Sequence, residues 1–168
     1  MDTSIRDLCE DLGKMLVARG ESLATAESCT GGLLGSWLTS IPGSSEWYLG
    51  GVVAYANRIK EDILGVPTGV INKEGAVSRP CVKAMCVGLE SRFQAHLEVA
   101  ISGIAGPGGG SPSKPVGTVW IGWRHQGRGS ERMTVFPGNR EAVRQAAARA
   151  ALQGLVDVLK SAGNSPRG

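Results

Sequence analysis

The sequence predicts an α/β fold, a three-layer α/β/α single domain with a mixed sheet. Segments with helical and strand-like patterns alternate over most of the 168 residues, which favours parallel strands covered by helices on both faces. A short turn at 127–129 then joins two strand-like segments, which adds an antiparallel hairpin. A chain of this length with 42% hydrophobic residues can bury one core.

The first half of the chain carries clear helix and turn signals. Apolar residues at helical spacing, followed by Gly20 as a stop, predict a helix over 4–19. The elements that follow are a strand at 22–26, a helix at 31–40, a turn at 42–45, a strand at 51–55, a helix that Asn57 caps and that ends near 64, and an irregular segment at 66–77.

The second half begins with a long helix that Ser78 and Pro80 open and that ends near 93. The remaining elements are a strand at 97–102, a glycine loop at 103–112, a hairpin of strands at 116–123 and 132–136, and an alanine-rich helix that Asn139 caps. We place the end of the domain near residue 160 and expect the tail 161–168 to fray.

Composition and charge argue against several functions. The net charge is +3, the basic residues are scattered and 5% of the residues are aromatic, so we expect no nucleic-acid partner. The four cysteines form no CxxC pair and there are two histidines, so we expect neither a metal nor a cofactor. No apolar run approaches the roughly 20 residues of a membrane span, and the N-terminus lacks a signal core. We therefore expect a cytoplasmic protein without a membrane partner.

The segment 24–32, ATAESCTGG, is the most informative motif of the chain. A strand, a glycine turn and a helix start form a pocket lined by backbone N–H groups, which suits a phosphate or an oxyanion. Ser28 and Cys29 lie at its mouth, and Thr30, Gly31 and Gly32 are candidate substrate-binding residues. The alternative is an ordinary helix start that a serine or threonine caps.

Ser45, Tyr55 and Lys60 are the candidates for a nucleophilic serine and its base. Lys60 lies in the first turn of the predicted helix, where the helix field lowers its pKa and makes it a candidate base for a serine hydroxyl. Tyr55 precedes it and could orient the proton. The alternative is a solvated lysine and a packed tyrosine. Because neither histidine lies in a motif, a Ser-His-Asp site is not expected.

Two further segments are candidates for ligand contacts. Ser102, Gly103 and Gly106 follow the end of a buried strand, where α/β proteins place ligand loops. Arg140 and Arg144 are one helical turn apart and could hold a phosphate. The alternatives are a flexible surface loop and solvated arginines.

Taken together, these blocks resemble the CinA C-terminal domain family, whose characterised members include nicotinamide-nucleotide amidases. The resemblance covers about residues 8–159. Longer members carry an additional N-terminal domain, so the chain resembles the stand-alone form. The blocks that carry the resemblance are TAESCTGG at 25–32, PGSS at 42–45, VVAYANRIK at 52–60, GAVS at 75–78, SGIAGPGGGSPSKPVGTVW at 102–120 and AVRQ at 142–145.

The resemblance implies that the chain hydrolyses the carboxamide of nicotinamide mononucleotide to nicotinate mononucleotide and ammonia, a salvage step. It places the family's functional side chains on Ser28, Ser45, Tyr55, Lys60 and Arg144. The glycine loop departs from relatives at Gly108, which commonly is Thr or Asp, and at Pro112 and Ser113, where relatives have an acidic pair. These departures leave the strict substrate preference open.

The motifs and the resemblance together suggest a mechanism. We expect Ser45 to attack the amide and Lys60 to accept its proton, with Tyr55 between them. Ser28 and the N–H groups of residues 30–32 would hold the amide or its oxyanion, and Arg144 would hold the phosphate. The reverse assignment, with Ser28 as nucleophile, stays open.

Two other functions also fit the motifs. One is a non-catalytic CinA-like module that binds a nucleotide or a protein and is linked to competence or DNA damage. The other is an amidase for a different nucleotide amide. We also expect a homo-oligomer, since enzymes of this size often share pockets between subunits.

Overall fold

A five-stranded mixed sheet forms the centre of the molecule in the computed structural model, which describes residues 1–163. This arrangement confirms the predicted fold class. The strands are β1 (Leu23–Glu27), β2 (Tyr48–Val53), β3 (Leu97–Gly103), β4 (Thr118–His125) and β5 (Arg128–Val135). The helices are α1 (Thr3–Arg19), α2 (Leu33–Thr39), α3 (Asn57–Asp62), α4 (Thr68–Glu74), α5 (Arg79–Phe93) and α6 (Arg140–Gly163), and a 3₁₀ turn covers Ser44–Glu46.

The strand order is β2-β1-β3-β4-β5. The first three strands are parallel, and β4 and β5 are antiparallel to their neighbours as the predicted hairpin requires. Glu27, the last residue of β1, pairs with Val53 at the end of β2 and with Ile101 near the end of β3. The carboxyl ends of the three parallel strands therefore meet at one edge of the sheet.

Helices cover both faces of the sheet. Leu97, Val99 and Ile101 point to one face, where they pack with apolar residues of α1, α2 and α6. Ala100 points to the other face, which α5 and the segment after α3 cover. The period-2 alternation of β3 thus supplies two cores, one on each side of the sheet.

Local signals begin and end the long helices as predicted. The Ser78 side chain accepts a hydrogen bond from the Cys81 N–H and caps α5, and the Asn139 side chain accepts one from the Ala142 N–H at the start of α6. Gly20 adopts a left-handed conformation with φ of 64° and ends α1.

The structure differs from the sequence prediction at several positions. Residues 68–74 form α4 inside the segment predicted to be irregular, because seven residues are too few to show a periodic pattern. Strand β2 begins at Tyr48 rather than at residue 51, since pairing with β1 overrides the weak strand propensity of Gly50 and Gly51. Ala56, not Asn57, occupies the N-cap of α3, and no side chain caps it.

The last helix ends further along the chain than the sequence predicts. Helix α6 continues to Gly163, so residues 161–163 are helical. The rest of the predicted frayed tail, 164–168, lies outside the described residues. Within residues 1–163, no helix has the length and apolar character that crossing a membrane requires.

Candidate active site

The carboxyl ends of the parallel strands carry the polar residues that the motifs predicted. Ser28 follows β1, Tyr55 follows β2, and Ser102 and Gly103 end β3. They surround a cavity of about 230 Å³. The cavity is lined by Ser28, Cys29, Tyr55, Asn57, Lys60, Ala76, Val77, Ser102, Gly103, Ala105 and Arg140.

Lys60 is the buried base candidate of this cavity. Helix α3 starts four residues after β2 ends and turns the chain back, which leaves the Lys60 side chain 1% exposed. Its Nζ lies 3.1 Å from Ser28 Oγ, 2.7 Å from the Ala54 carbonyl oxygen and 3.2 Å from the Tyr55 carbonyl oxygen. In residues 1–163, no carboxylate pairs with it.

Burial lowers the pKa of Lys60 below the ordinary 10.5, because an ammonium group loses its hydration inside the protein. Sequence reasoning expected a lowered pKa for another reason, the field of the helix start. The structure assigns the lowered pKa to desolvation instead, and Lys60 lies in the last turn of the six-residue helix α3. The lowered pKa increases the neutral fraction of the amine, which is the form that can accept a proton.

Residues 28–31 form the Ser28 loop, and protein acceptors bind two of its four backbone N–H groups. The Ser28 N–H donates to the Ile101 carbonyl, and the Gly31 N–H donates to the Ser28 carbonyl, at 2.9 and 3.0 Å. The Gly32 N–H donates to the Glu27 carboxylate at 3.1 Å. The predicted N–H cradle over residues 30–32 is therefore wrong for its two glycines, because protein acceptors occupy both groups.

Two donors of the loop remain free. Within residues 1–163, the N–H groups of Cys29 and Thr30 have no protein acceptor. Both belong to the two residues directly after Ser28. Their position suits an oxyanion that forms where the Ser28 hydroxyl attacks a carbonyl carbon.

Cys29 lines the cavity but is a poor nucleophile. Burial raises the pKa of its thiol to about 11, so the reactive thiolate is scarce at neutral pH. The neighbouring Ser28, which contacts Lys60 directly, is the better candidate.

Tyr55 and Arg140 lie together at the mouth of the cavity. The Tyr55 side chain is 58% exposed, and its Oη accepts a hydrogen bond from Arg140 Nη2 at 2.9 Å. Arg140 Nη1 also donates to the Gly106 carbonyl at 2.7 Å. The Tyr55 hydroxyl thus contacts Arg140 and does not lie between a serine and Lys60. Gly106 does not line the cavity itself but binds Arg140, which does.

Arg144 lies outside the cavity, contrary to the sequence prediction. Its Nη2 donates to the Thr30 carbonyl at 3.1 Å, and its Nη1 pairs with Glu141 at 2.7 Å. It therefore supports the Ser28 loop from behind. Arg140, one turn earlier, faces the cavity because α6 starts beside the glycine loop. The sequence signal, two arginines one turn apart, could not distinguish them.

Ser45 does not meet Lys60 in this structure. It is exposed in the 3₁₀ turn before β2, whereas Lys60 follows the end of β2. The strand between them separates the two ends by about 17 Å at roughly 3.3 Å per residue. The structure therefore does not bring Ser45 to Lys60 as predicted, and Ser28 lies beside the amine instead.

Ser102 and Gly103 line the cavity, and Ser102 has a defined partner. Its Oγ donates to the Ala76 carbonyl at 2.8 Å and so ties β3 to the segment before α5. Sequence reasoning missed Asn57, Ala76 and Val77 as lining residues, although the latter two lie in the block GAVS. In residues 1–163, no group of three His, Cys, Asp or Glu side chains could hold a metal ion.

Comparison with known proteins places the chain in a family. A protein-family model described as "CinA C-terminal domain" matches residues 5–159. "Nicotinamide-nucleotide amidohydrolase PncC" of Escherichia coli K12 is 45% identical over 155 residues, which is 92% of this chain and 94% of that protein. A "CinA-like protein" of Akkermansia muciniphila is 51% identical over 136 residues, 80% of this chain and 33% of that protein. The chain thus spans about a third of the length of the CinA-like relatives.

A solved structure gives the same result for the fold. The competence-damaged protein (CinA) superfamily protein from Klebsiella pneumoniae 700603 matches with a TM-score of 0.90 and 36% identity, covering 94% of this chain and 98% of that one. A family model over most of the chain and a relative at 45% identity point to the same assignment. The chain belongs to the CinA C-terminal domain family.

Proposed function

We propose that this chain hydrolyses the carboxamide of nicotinamide mononucleotide to nicotinate mononucleotide and ammonia, a step of pyridine-nucleotide salvage. Relatives of nearly the same length, in Escherichia coli and Pseudomonas putida, are named nicotinamide-nucleotide amidohydrolases and are 45% identical. In family terms the chain is an amidohydrolase. The single observation that carries the mechanism is the buried contact of 3.1 Å between Lys60 Nζ and Ser28 Oγ.

Lys60 acts as the general base in its neutral form. A neutral amine has two N–H bonds and one lone pair. In the neutral amine the two N–H groups donate hydrogen bonds to the Ala54 and Tyr55 carbonyl oxygens. The lone pair then points to the third partner, Ser28 Oγ. This arrangement supports proton transfer from the hydroxyl to the amine.

Ser28 acts as the nucleophile. Its oxygen forms a bond to the carboxamide carbon while Lys60 takes its proton, and the amide oxygen becomes an oxyanion that the Cys29 and Thr30 N–H groups stabilise. The C–N bond then breaks, and Lys60 gives its proton to the leaving nitrogen, which departs as ammonia. Water attacks the resulting ester, Lys60 accepts and returns a proton, and the carboxylic acid product leaves.

Arg140 is the candidate for the phosphate of the substrate. It is the exposed cation of the cavity, since Lys60 is buried against Ser28. A guanidinium group binds phosphate oxygens with two parallel hydrogen bonds. Tyr55 Oη, its partner at the mouth, would then orient Arg140 rather than carry a proton.

Substitution of the two reacting residues tests the proposal. We expect Ser28→Ala and Lys60→Met, which keeps the volume of the buried side chain, to lose ammonia release from nicotinamide mononucleotide by about 10³-fold or more. Ser45→Ala tests the alternative nucleophile, and we expect it to keep activity within about twofold. Near-wild-type activity of a folded Ser28→Ala protein would contradict the proposal, and a wild-type chain that releases no ammonia would favour the non-catalytic binding module.

A further inference from the structure

The last residue of β1 carries a buried carboxylate that the proposed mechanism does not use. Glu27 is 2% exposed and directly precedes Ser28. Within residues 1–163, no lysine, arginine or histidine forms an ion pair with it. A buried carboxylate without a cation is costly unless hydrogen bonds replace its hydration.

Three backbone N–H groups supply those hydrogen bonds. Glu27 Oε2 accepts from the Gly32 and Leu34 N–H groups at 3.1 and 3.2 Å, and Oε1 accepts from the Gly35 N–H at 2.8 Å. These donors lie in the first turn of α2, where backbone N–H groups lack partners inside the helix. The N-cap residue, Gly32, has no side chain that could satisfy them. Glu27 therefore caps α2 from the preceding strand.

This contact closes a short loop around the nucleophile. The chain leaves β1 at Glu27 and returns to the same carboxylate at Gly32, so that residues 28–31 form the loop. Gly31 and Gly32 allow this return because both have positive φ angles, 63° and 93°. The loop carries Ser28 and the free N–H groups of Cys29 and Thr30. The shape of the loop thus decides whether the Ser28 hydroxyl and these two N–H groups point to the same part of the cavity.

We propose that Glu27 is a positioning residue that holds the Ser28 loop in its reactive geometry. The inference rests on the proposed function of Ser28 as nucleophile. Glu27 does not line the cavity described above, and its carboxylate occupies the N–H groups at the start of α2. The buried charge acts through three hydrogen bonds on the position of Ser28 Oγ against Lys60.

Glu27→Gln is the decisive variant, because an amide keeps the size but replaces one acceptor oxygen with a donor that opposes the N–H groups. Glu21→Gln is the matched control. Glu21 is a buried glutamate beside the other end of β1, where it contacts His125 and Gln126 and not the site. Loss of stability should occur in both variants, whereas loss of reactivity should occur only in Glu27→Gln.

Four measurements separate positioning from general destabilisation. We expect Glu27→Gln to lower kcat by about tenfold or more with KM changed less than about twofold, because the substrate contacts remain. Labelling of Ser28 by a fluorophosphonate should slow by a similar factor. The pH at which kcat/KM reaches half of its maximum reports the pKa of Lys60. It should not change, since Glu27 does not contact Lys60. Hydrogen exchange at the Gly32, Leu34 and Gly35 amides should accelerate.

Equal kcat losses in Glu27→Gln and Glu21→Gln would overturn the proposal, as would an unchanged labelling rate in Glu27→Gln. If Glu27→Gln does not fold, Glu27→Asp, which keeps the charge with a shorter reach, is expected to give an intermediate labelling rate, and a wild-type rate would contradict positioning. If the wild type releases no ammonia, the proposed function fails. Amide exchange and Ser28 labelling then still decide the role of Glu27.

Discussion

Among the side chains of the site, Lys60 shows how burial and backbone geometry act on one residue. Its amine has three oxygen partners, and among residues 1–163 none of them is a carboxylate. A carboxylate would stabilise the ammonium form and raise the pKa, whereas neutral partners leave desolvation as the main effect. The residue can therefore act as a base without a histidine in the site.

The pH dependence of activity follows from this lowered pKa. Only neutral Lys60 can accept the Ser28 proton, so kcat/KM should rise with pH and level off above the pKa of the free enzyme. Because burial lowers that pKa, we expect the midpoint of the rise below 10.5, the ordinary value. Initial rates of ammonia release across pH measure it. A midpoint at or above 10.5 would contradict the assignment.

Substitution of Arg140 and of Arg144 should affect KM differently, although the two residues are one turn apart. Removal of a charged hydrogen-bond partner costs roughly 1.5–3 kcal/mol, so we expect Arg140→Ala to raise KM for nicotinamide mononucleotide by about tenfold or more. Arg144→Ala, which loses contacts to Thr30 and Glu141, should change KM less. Nicotinamide riboside, which lacks the phosphate, is the control substrate. An equal effect of Arg140→Ala on both substrates would contradict phosphate binding.

At the level of elements, contact between α5 and the segment after α3 holds the base in place. Gly88 of α5 packs so closely against the Leu64 carbonyl that a Cβ atom there would overlap it. Leu64 lies just beyond α3, and the Val66 N–H donates to the Lys60 carbonyl at 3.0 Å. The missing side chain of Gly88 therefore permits the approach that buries Lys60.

A pair of glycine substitutions tests this contact. We expect Gly88→Ala to destabilise the fold by roughly 1–3 kcal/mol, because the added methyl forces α5 away from Leu64. Gly69→Ala in the exposed part of α4 has open space and should stabilise by about 0.5–1 kcal/mol. Urea unfolding of both variants measures the difference. Equal stability of Gly88→Ala and the wild type would show that the contact relaxes without cost.

At the level of the whole molecule, the site depends on strand order. Placing β1 between β2 and β3 brings three loops to one edge, and each loop contributes polar groups to the cavity. The same order puts the charged residue Glu98 in the middle of the sheet. It lies opposite Ala24 of β1 and Arg124 of β4, and within residues 1–163 neither carboxyl oxygen has a hydrogen-bond partner.

Glu98 should make overall stability depend on pH. Burial, with the charge of Glu90 beside it, raises the pKa of Glu98 from 4.5 to about 8, against the opposing effect of Arg124; the buried thiol of Cys86 also lies nearby. Between those two values the folded state keeps a proton that the unfolded state has lost, so stability falls as pH rises. Across that interval the carboxyl group contributes a decline on the order of 5 kcal/mol, at about 1.36 kcal/mol per pH unit.

Glu98→Gln removes that titration and tests it. We expect the free energy of unfolding to fall less between pH 5 and pH 8 in Glu98→Gln than in the wild type, because the amide stays neutral. Glu46→Gln, at an exposed carboxylate, is the control and should follow the wild type. Urea unfolding at both pH values measures the slopes. An equal change in the free energy of unfolding with pH in Glu98→Gln and the wild type would contradict a protonated Glu98 in the folded state.

Local features of the fold were predictable from the sequence, and features that depend on pairing were not. Ser78, Asn139 and Gly20 begin or end helices through contacts a few positions away, so their roles could be predicted. The early start of β2 was missed because its glycines have weak propensity and its position depends on β1.

For the candidate site, the structure brings most of the selected segments to one cavity, but it places side chains together that the sequence prediction did not pair. Ser28, Tyr55, Lys60, Ser102 and Gly103 all line one cavity. The sequence prediction paired Ser45 with Lys60, which are close in the chain. Strand β2 lies between them and places the two residues at opposite ends of the strand. The family pattern favoured Arg144, whereas the position of α6 places Arg140 at the cavity.

By itself the sequence determined the α/β class, the long helices, the hairpin and the set of motifs typical of the CinA C-terminal domain family. Those features arise from periodicity, capping and turn chemistry over short distances along the chain. Only the tertiary structure decided that Ser28 meets Lys60, 32 positions away, and that Arg140 meets Tyr55, 85 positions away. The physical reason is that strand direction and pairing order, not local sequence, bring distant segments to one edge of the sheet.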